Sequence, residues 1–200
     1  MDLAVIALSF AAIFVVELPD KTFIAALVLS TRYRGIHVWI GVGLAFLVQT
    51  LIAVTVGQAV TYLPDDAVKS VAGLIFLVGA VLLIREAPKA DAEEADTEAE
   101  FAAKARTSKT GLAAVGASFL VLFAAEWGDL SQLLTISLVG KYDHPVSVFI
   151  GAWGALLAVS ALAVVAGRFL LRHVKLSTIH YAGAAICLAL AALTAYELLT

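Results

Sequence analysis

The chain has 200 residues, 62% hydrophobic and 14% charged, where soluble globular domains run at roughly 45–50% apolar and about 25% charged. Its formal net charge is −3 with 13 scattered basic residues, which excludes the concentrated basic footprint of a nucleic-acid binder. The only cysteine, Cys187, excludes an intramolecular disulfide and a cysteine metal site, and the lipid bilayer is the solvent that this composition needs.

The first apolar run covers residues 3–30. It follows Asp2 rather than a positive segment and continues through Glu17 to Leu29, so it reads as a retained helix and not as a signal peptide. Breaks at Thr31-Arg-Tyr-Arg-Gly and Pro64-Asp-Asp bound a second span, 36–63, and open a third, 67–84. A polar stretch rich in Ala, Glu, Asp and Lys fills 86–110 and suits a solvated linker with some helix. Spans at 111–139, 145–167 and 176–199 follow, separated by Lys141-Tyr-Asp-His-Pro and by Arg168 to Lys175. Each is near or above the roughly 20 residues that a helix needs to cross the hydrocarbon. Runs such as Gly73 to Ile84 do not alternate polar with apolar, which argues against a β-barrel.

Shifting the first half by 109 places Ser9 on Ser118, Phe10 on Phe119, Phe14 on Phe123, Glu17 on Glu126, Asp20 on Asp129 and Tyr33 on Tyr142. Shifting by 110 places Gly41 on Gly151, Thr50 on Ser160 and Gly73 on Gly183. Such self-similarity marks an internal repeat. Three spans per repeat, an odd number, make the second copy enter the membrane from the opposite side, as in secondary transporters with a site where the halves meet. The expected fold is an all-α integral membrane protein of six transmembrane helices forming two inverted three-helix repeats. Residues 1–85 form the first repeat, 86–110 an acidic cytoplasmic linker and 111–200 the second repeat. With both termini on one side, that side's loops hold Lys69 and Lys141, whereas the opposite loops hold Arg32, Arg34, Arg85, Lys89, Lys104, Arg106, Lys109, Arg168, Arg172 and Lys175. The positive-inside rule puts the linker in the cytoplasm and both termini outside.

Glu17, Asp20, Glu126 and Asp129 fall near mid-bilayer, where an ionised group facing lipid costs at least about 2.5–3.5 kcal/mol. They should therefore point inward, toward one another, water or a cation. The members of each pair are three apart, about 60° around a continuous helix, and reach a common point. Up to eight carboxylate oxygens without sulfur suit Ca²⁺, Mn²⁺ or Mg²⁺, and the lack of a histidine near either pair in sequence argues against Zn²⁺. Thr22, Ser131 and Gln132 are candidate neutral oxygen donors, with bonding back to the preceding turn as the plainer role. Pro19 and Gly128 loosen their helices, which turns backbone carbonyls toward the site. Lys21, four residues after Glu17, is placed for an internal ion pair. Gln49, Thr50 and Ser160 suit interhelical hydrogen bonds, Trp127 suits packing, and His37, His144, His173 and His180 fall at span ends.

At Glu17-Leu-Pro-Asp-Lys-Thr and Glu126-Trp-Gly-Asp-Leu-Ser the chain resembles the GDT family of cation/proton exchangers, over its whole length. The shared motif is Glu, any residue, Gly, Asp, Lys or Arg, Thr or Ser, on the first span of each repeat. The resemblance implies exchange of Mn²⁺ or Ca²⁺ against protons, with no enzymatic activity and no resident cofactor. It assigns Glu17, Asp20, Glu126 and Asp129 to metal and proton binding, Thr22 and Ser131 to support, and Gln132 as a further candidate by position. Pro19 in place of the motif glycine and Leu130 in place of the second basic residue depart from the pattern, leaving Lys21 as the single intramembrane cation. Export across the cell inner (plasma) membrane follows from the resemblance and the usual inward proton gradient. A divalent-cation channel using the same acids is the nearest rival. An intramembrane aspartyl protease built on Asp20 and Asp129 is a remoter one, since its motif requires glycine where Glu126 stands.

Overall fold

The computed structural model describes residues 1–18, 20–105, 109–173 and 175–199. Pro19 and Arg106, and the side chains of Arg168, Arg172 and His173, lie outside the described residues. The described backbone is helical and without strands: α1 (Leu3–Glu17), α2 (Lys21–Arg32), α3 (Gly35–Val60), α4 (Asp65–Lys104), α5 (Leu112–Ala125), α6 (Leu130–Tyr142), α7 (Pro145–His173) and α8 (Leu176–Leu199). Local signals set several ends. Asp2 caps α1 by accepting from the backbone N–H groups of Ala4 and Val5 at 2.8 and 3.3 Å. Pro145 opens α7, where its fixed φ suits the first helical turn.

Helices α3, α4, α7 and α8 each contain a segment long and apolar enough to cross a membrane. The pairs α1–α2 and α5–α6 pass the same test when each is taken together, but they bend by 70° and 73° at their breaks. The spans expected at 3–30 and 111–139 are each broken within the acidic motif, where Pro19 and Gly128 are expected to loosen the helix. The segment from Glu86 is also more regular than its composition suggests. Helix α4 runs without interruption past Pro88 to Lys104, about 60 Å at 1.5 Å per residue, roughly twice the hydrocarbon thickness. Phe101 and Ala105 are buried in the core, so this extension lies against the bundle.

The halves interlock by exchanging neighbours. Helix α1 packs on α7, α3 on α5, and α4 on α8. Glycines permit the first two contacts in equivalent ways. A Cβ at Gly41 would meet the Val115 carbonyl oxygen at 2.4 Å and Ser118 Cβ at 2.9 Å; one at Gly151 would meet the Ile6 carbonyl oxygen at 2.5 Å and Ser9 Cβ at 2.9 Å. Backbones approach this closely only where no side chain intervenes, which is how helices associate when lipid supplies no hydrophobic drive between them. Trp39 Nε1 donates to the Leu157 carbonyl at 3.0 Å, and Trp153 Nε1 donates to the Gly43 carbonyl at 3.1 Å. The stacked rings Phe10–Phe14 and Phe119–Phe123, with centroids at 5.6 and 5.4 Å, also obey the repeat.

Candidate metal centre

The two helix breaks hold the four acids. Glu17 is the last residue of α1 and Asp20 the N-cap of α2; Glu126 is the C-cap of α5 and Asp129 the N-cap of α6. The pairs are thus not on one face of a continuous helix, as their spacing suggested, but on opposite sides of a bend. Gly128 makes the second bend with φ +82°, a conformation glycine adopts without steric cost. One carboxylate oxygen from each of the four residues lies within 4.8 Å of all the others. Two helix pairs from the two halves therefore converge on a single point.

Burial makes this cluster electrostatically demanding. Glu17 is 0% exposed and Glu126 2% exposed, and both Glu17 oxygens and Glu126 Oε2 lack a hydrogen-bond partner. Asp20 and Asp129 are half-buried. Carboxylates withdrawn from water without partners are costly unless protons or a cation neutralise them. The N-termini of α2 and α6 favour negative charge at the two aspartates, and the C-termini of α1 and α5 present negative helix ends beside the two glutamates. Hard oxygens converging there match a divalent cation such as Mn²⁺ or Ca²⁺.

The neutral candidates divide. Thr22 and Ser131 are buried beside the Glu17 carboxylate. Thr22 Oγ1 makes no hydrogen bond, its contact with Glu17 falling short of hydrogen-bond geometry. Gln132 Oε1 accepts from the Gly128 backbone N–H at 3.2 Å, and so supports the bend. Gln49 Nε2 donates to the Phe123 carbonyl at 3.1 Å, across from α3 to the last turn of α5. Ser160 bonds within its own helix to the Leu157 carbonyl, and Thr50 Oγ1 is buried without a partner. Trp127 packs its ring against Phe123. Lys21 does not pair with Glu17. It is exposed and lines a cavity of about 250 Å³ that also contains Asp20, Glu126 and Asp129.

His180 is what the sequence order concealed. It is buried and lines both that cavity and a second one of about 350 Å³, which reaches Asp20, Gly128 and Asp129. No histidine is near either pair in sequence, and His180 is expected at a span end; the fold brings it beside the acids' cavities, although it is not among the four residues whose ligand atoms converge. On α8, far from either acidic motif in chain order, His180 carries no local signal; only the packing of α8 against α4 and α1 brings it there.

A family model described as the divalent cation/proton antiporter GDT1 matches the chain twice, over residues 5–91 and 114–200. The chain belongs to the GDT1 family. The chloroplastic protein PAM71 of Arabidopsis thaliana is 32% identical over 96% of this chain and 56% of its own length. A GDT1-like protein of Synechocystis is 31% identical, covering 86% of each chain. A GDT1-like protein of Schizosaccharomyces pombe is 24% identical over 94% of this chain and 81% of its own. The chain spans little more than half the length of its chloroplastic relatives. No solved structure matches it. The GDT1 family is one of membrane transporters and not of enzymes, in keeping with the all-helical membrane fold, and the two GDT1 matches contain one acidic bend each.

Proposed function

We propose that this GDT1 protein exchanges a divalent metal cation for protons by alternating access, with Glu17, Asp20, Glu126 and Asp129 as the shared site and Thr22, Ser131 and Gln132 supporting it. The observation that carries this reading is the approach of all four carboxylates to within 4.8 Å, two from each half. Hard oxygens with no sulfur suit Mn²⁺ and Ca²⁺ alike, and Mn²⁺ is taken as the first candidate on the family resemblance. The working unit is six spans in two inverted repeats, 1–85 and 111–200, joined by 86–110, with each bent helix pair counted as one span. The linker lies in the cytoplasm and both termini lie outside, in the cell inner (plasma) membrane, and the metal leaves the cytoplasm as protons enter.

Charge balance supplies the coupling. The cluster offers up to four negative charges, and a divalent cation and protons are alternative ways of neutralising them. Metal arriving from the cytoplasm displaces protons; protonation from outside weakens the ligands and releases the metal. Calorimetry of Mn²⁺ binding in buffers of different ionisation enthalpy tests this directly. Proton release should make the observed enthalpy depend on the buffer, and apparent affinity should rise with pH. A buffer-independent enthalpy across about pH 6–8 would remove proton exchange from the site and favour a channel.

A further inference from the structure

The acidic part of α4 does not present all its charge to bulk solvent. Ala87, Ala90, Phe101 and Ala105 are buried, and Glu94 and Thr97 are half-buried, which defines an inward face spaced as a helical stripe. Glu86, Glu93, Glu94 and Thr97 line the 250 Å³ cavity together with Asp20, Glu126 and Asp129. Its lining is mainly polar, unlike that of a packing defect in an Ala-rich helix interface. The cavity also receives Glu126, a side chain 2% exposed whose Oε2 has no partner.

We propose that the α4 extension forms an outer cation-binding vestibule, in which Glu86, Glu93, Glu94 and Thr97 hold a hydrated divalent cation before it passes to the four-carboxylate centre. Glu86 and Glu93 are seven residues, about 10 Å, apart along the helix. They therefore cannot chelate one bare ion jointly, and the cation keeps part of its water shell there. Several carboxylates lining a cleft raise the local cation concentration and the rate of arrival at the buried site. Lys21, which lines the same cavity from α2, keeps it from holding the ion too strongly to release it inward. The inference rests on the four acids being the transport site, and the test separates the two.

Mn²⁺ uptake is measured in proteoliposomes for the full chain, for the triple variant Glu86→Gln, Glu93→Gln, Glu94→Gln, and for Asp96→Asn, Glu98→Gln. Asp96 and Glu98 are both exposed on the same helix and do not line the cavity. The triple variant should raise the apparent KM about tenfold, with Vmax within about twofold, and should flatten the dependence of KM on ionic strength. The control should leave KM unchanged within about twofold. A wild-type KM in the triple variant, or an equal rise in the control, overturns the vestibule. Electron paramagnetic resonance of added Mn²⁺ provides a readout independent of transport. In a Glu17→Gln, Glu126→Gln background weak binding should persist and should disappear when the triple change is added. Absence of that residual binding also overturns the vestibule, whereas unimpaired transport in the Glu17→Gln, Glu126→Gln background would instead overturn the four-acid site.

Discussion

Asp20 and Asp129 occupy equivalent N-cap positions but are held differently. Asp129 Oδ2 receives a long bond from the Ser131 backbone N–H at 3.4 Å, and Asp20 makes no side-chain capping bond. Asparagine caps a helix about as well as aspartate, so Asp20→Asn and Asp129→Asn keep the helix start while removing the charge. Glu17→Gln and Glu126→Gln likewise retain shape. Each of the four should lower Mn²⁺ transport by about 100-fold or more at near-normal membrane expression, and double changes should cost little more than single ones, because residues acting as a unit fail together. Flux measurements in proteoliposomes check this, and full activity in any two variants removes the site. Lys21 is placed at the cavity wall, so Lys21→Met should alter the pH dependence of Mn²⁺ affinity without abolishing binding, an outcome the same calorimetry reads.

At the scale of elements, two glycine contacts lock α3 to α5 and α7 to α1. Gly41→Ala and Gly151→Ala each push a methyl group into a carbonyl oxygen of the facing helix, and overpacking of this kind costs about 1–3 kcal/mol. Both variants should melt earlier in detergent. Gly116→Ala on α5, where an added Cβ meets nothing within 4 Å, should leave stability unchanged or slightly raised. Equal losses in all three would show that helix flexibility and not close approach explains the glycines. A different contact ties α6 to α8. The Lys141 side chain is 1% exposed, donates from Nζ to Thr194 Oγ1 at 2.8 Å and pairs with Glu197 at 3.4 Å. Desolvated amines are costly without partners, so Thr194 and Glu197 are what allow a lysine to be buried at this end of the bundle.

For the whole molecule, orientation decides what the proposed exchange would accomplish. A reporter active only in the cytoplasm should work when inserted after Lys109 and fail at the C-terminus. The reverse pattern would invert the topology and with it the direction of metal movement. Interlocking of the halves also means that neither half contains a complete centre. Glu17 and Asp20 meet Glu126 and Asp129 only because α1 packs on α7 and α3 on α5. Separately expressed halves should therefore bind Mn²⁺ tightly only when mixed, as equilibrium dialysis would report.

Composition and repetition alone pointed to a helical membrane protein and singled out four particular acids as inward-facing. The reason is energetic: carboxylates within apolar spans have no tolerable alternative to facing one another, water or a cation. Tertiary structure decided the rest. Spacing of three describes a continuous helix and cannot reveal a 73° bend, which depends on the backbone of Gly128 being held at positive φ by its surroundings. Lys21 is four residues from Glu17 in sequence, yet the break between α1 and α2 removes the helical geometry that would have paired them. An acidic, alanine-rich segment reads as solvated because charge prefers water. The cavity beneath α4 gives the half-buried Glu94 a polar space to face, and Glu93, though exposed, lines its rim. His180 reaches that space through the packing of α8, a contact between residues far apart in the chain and therefore without a local signature.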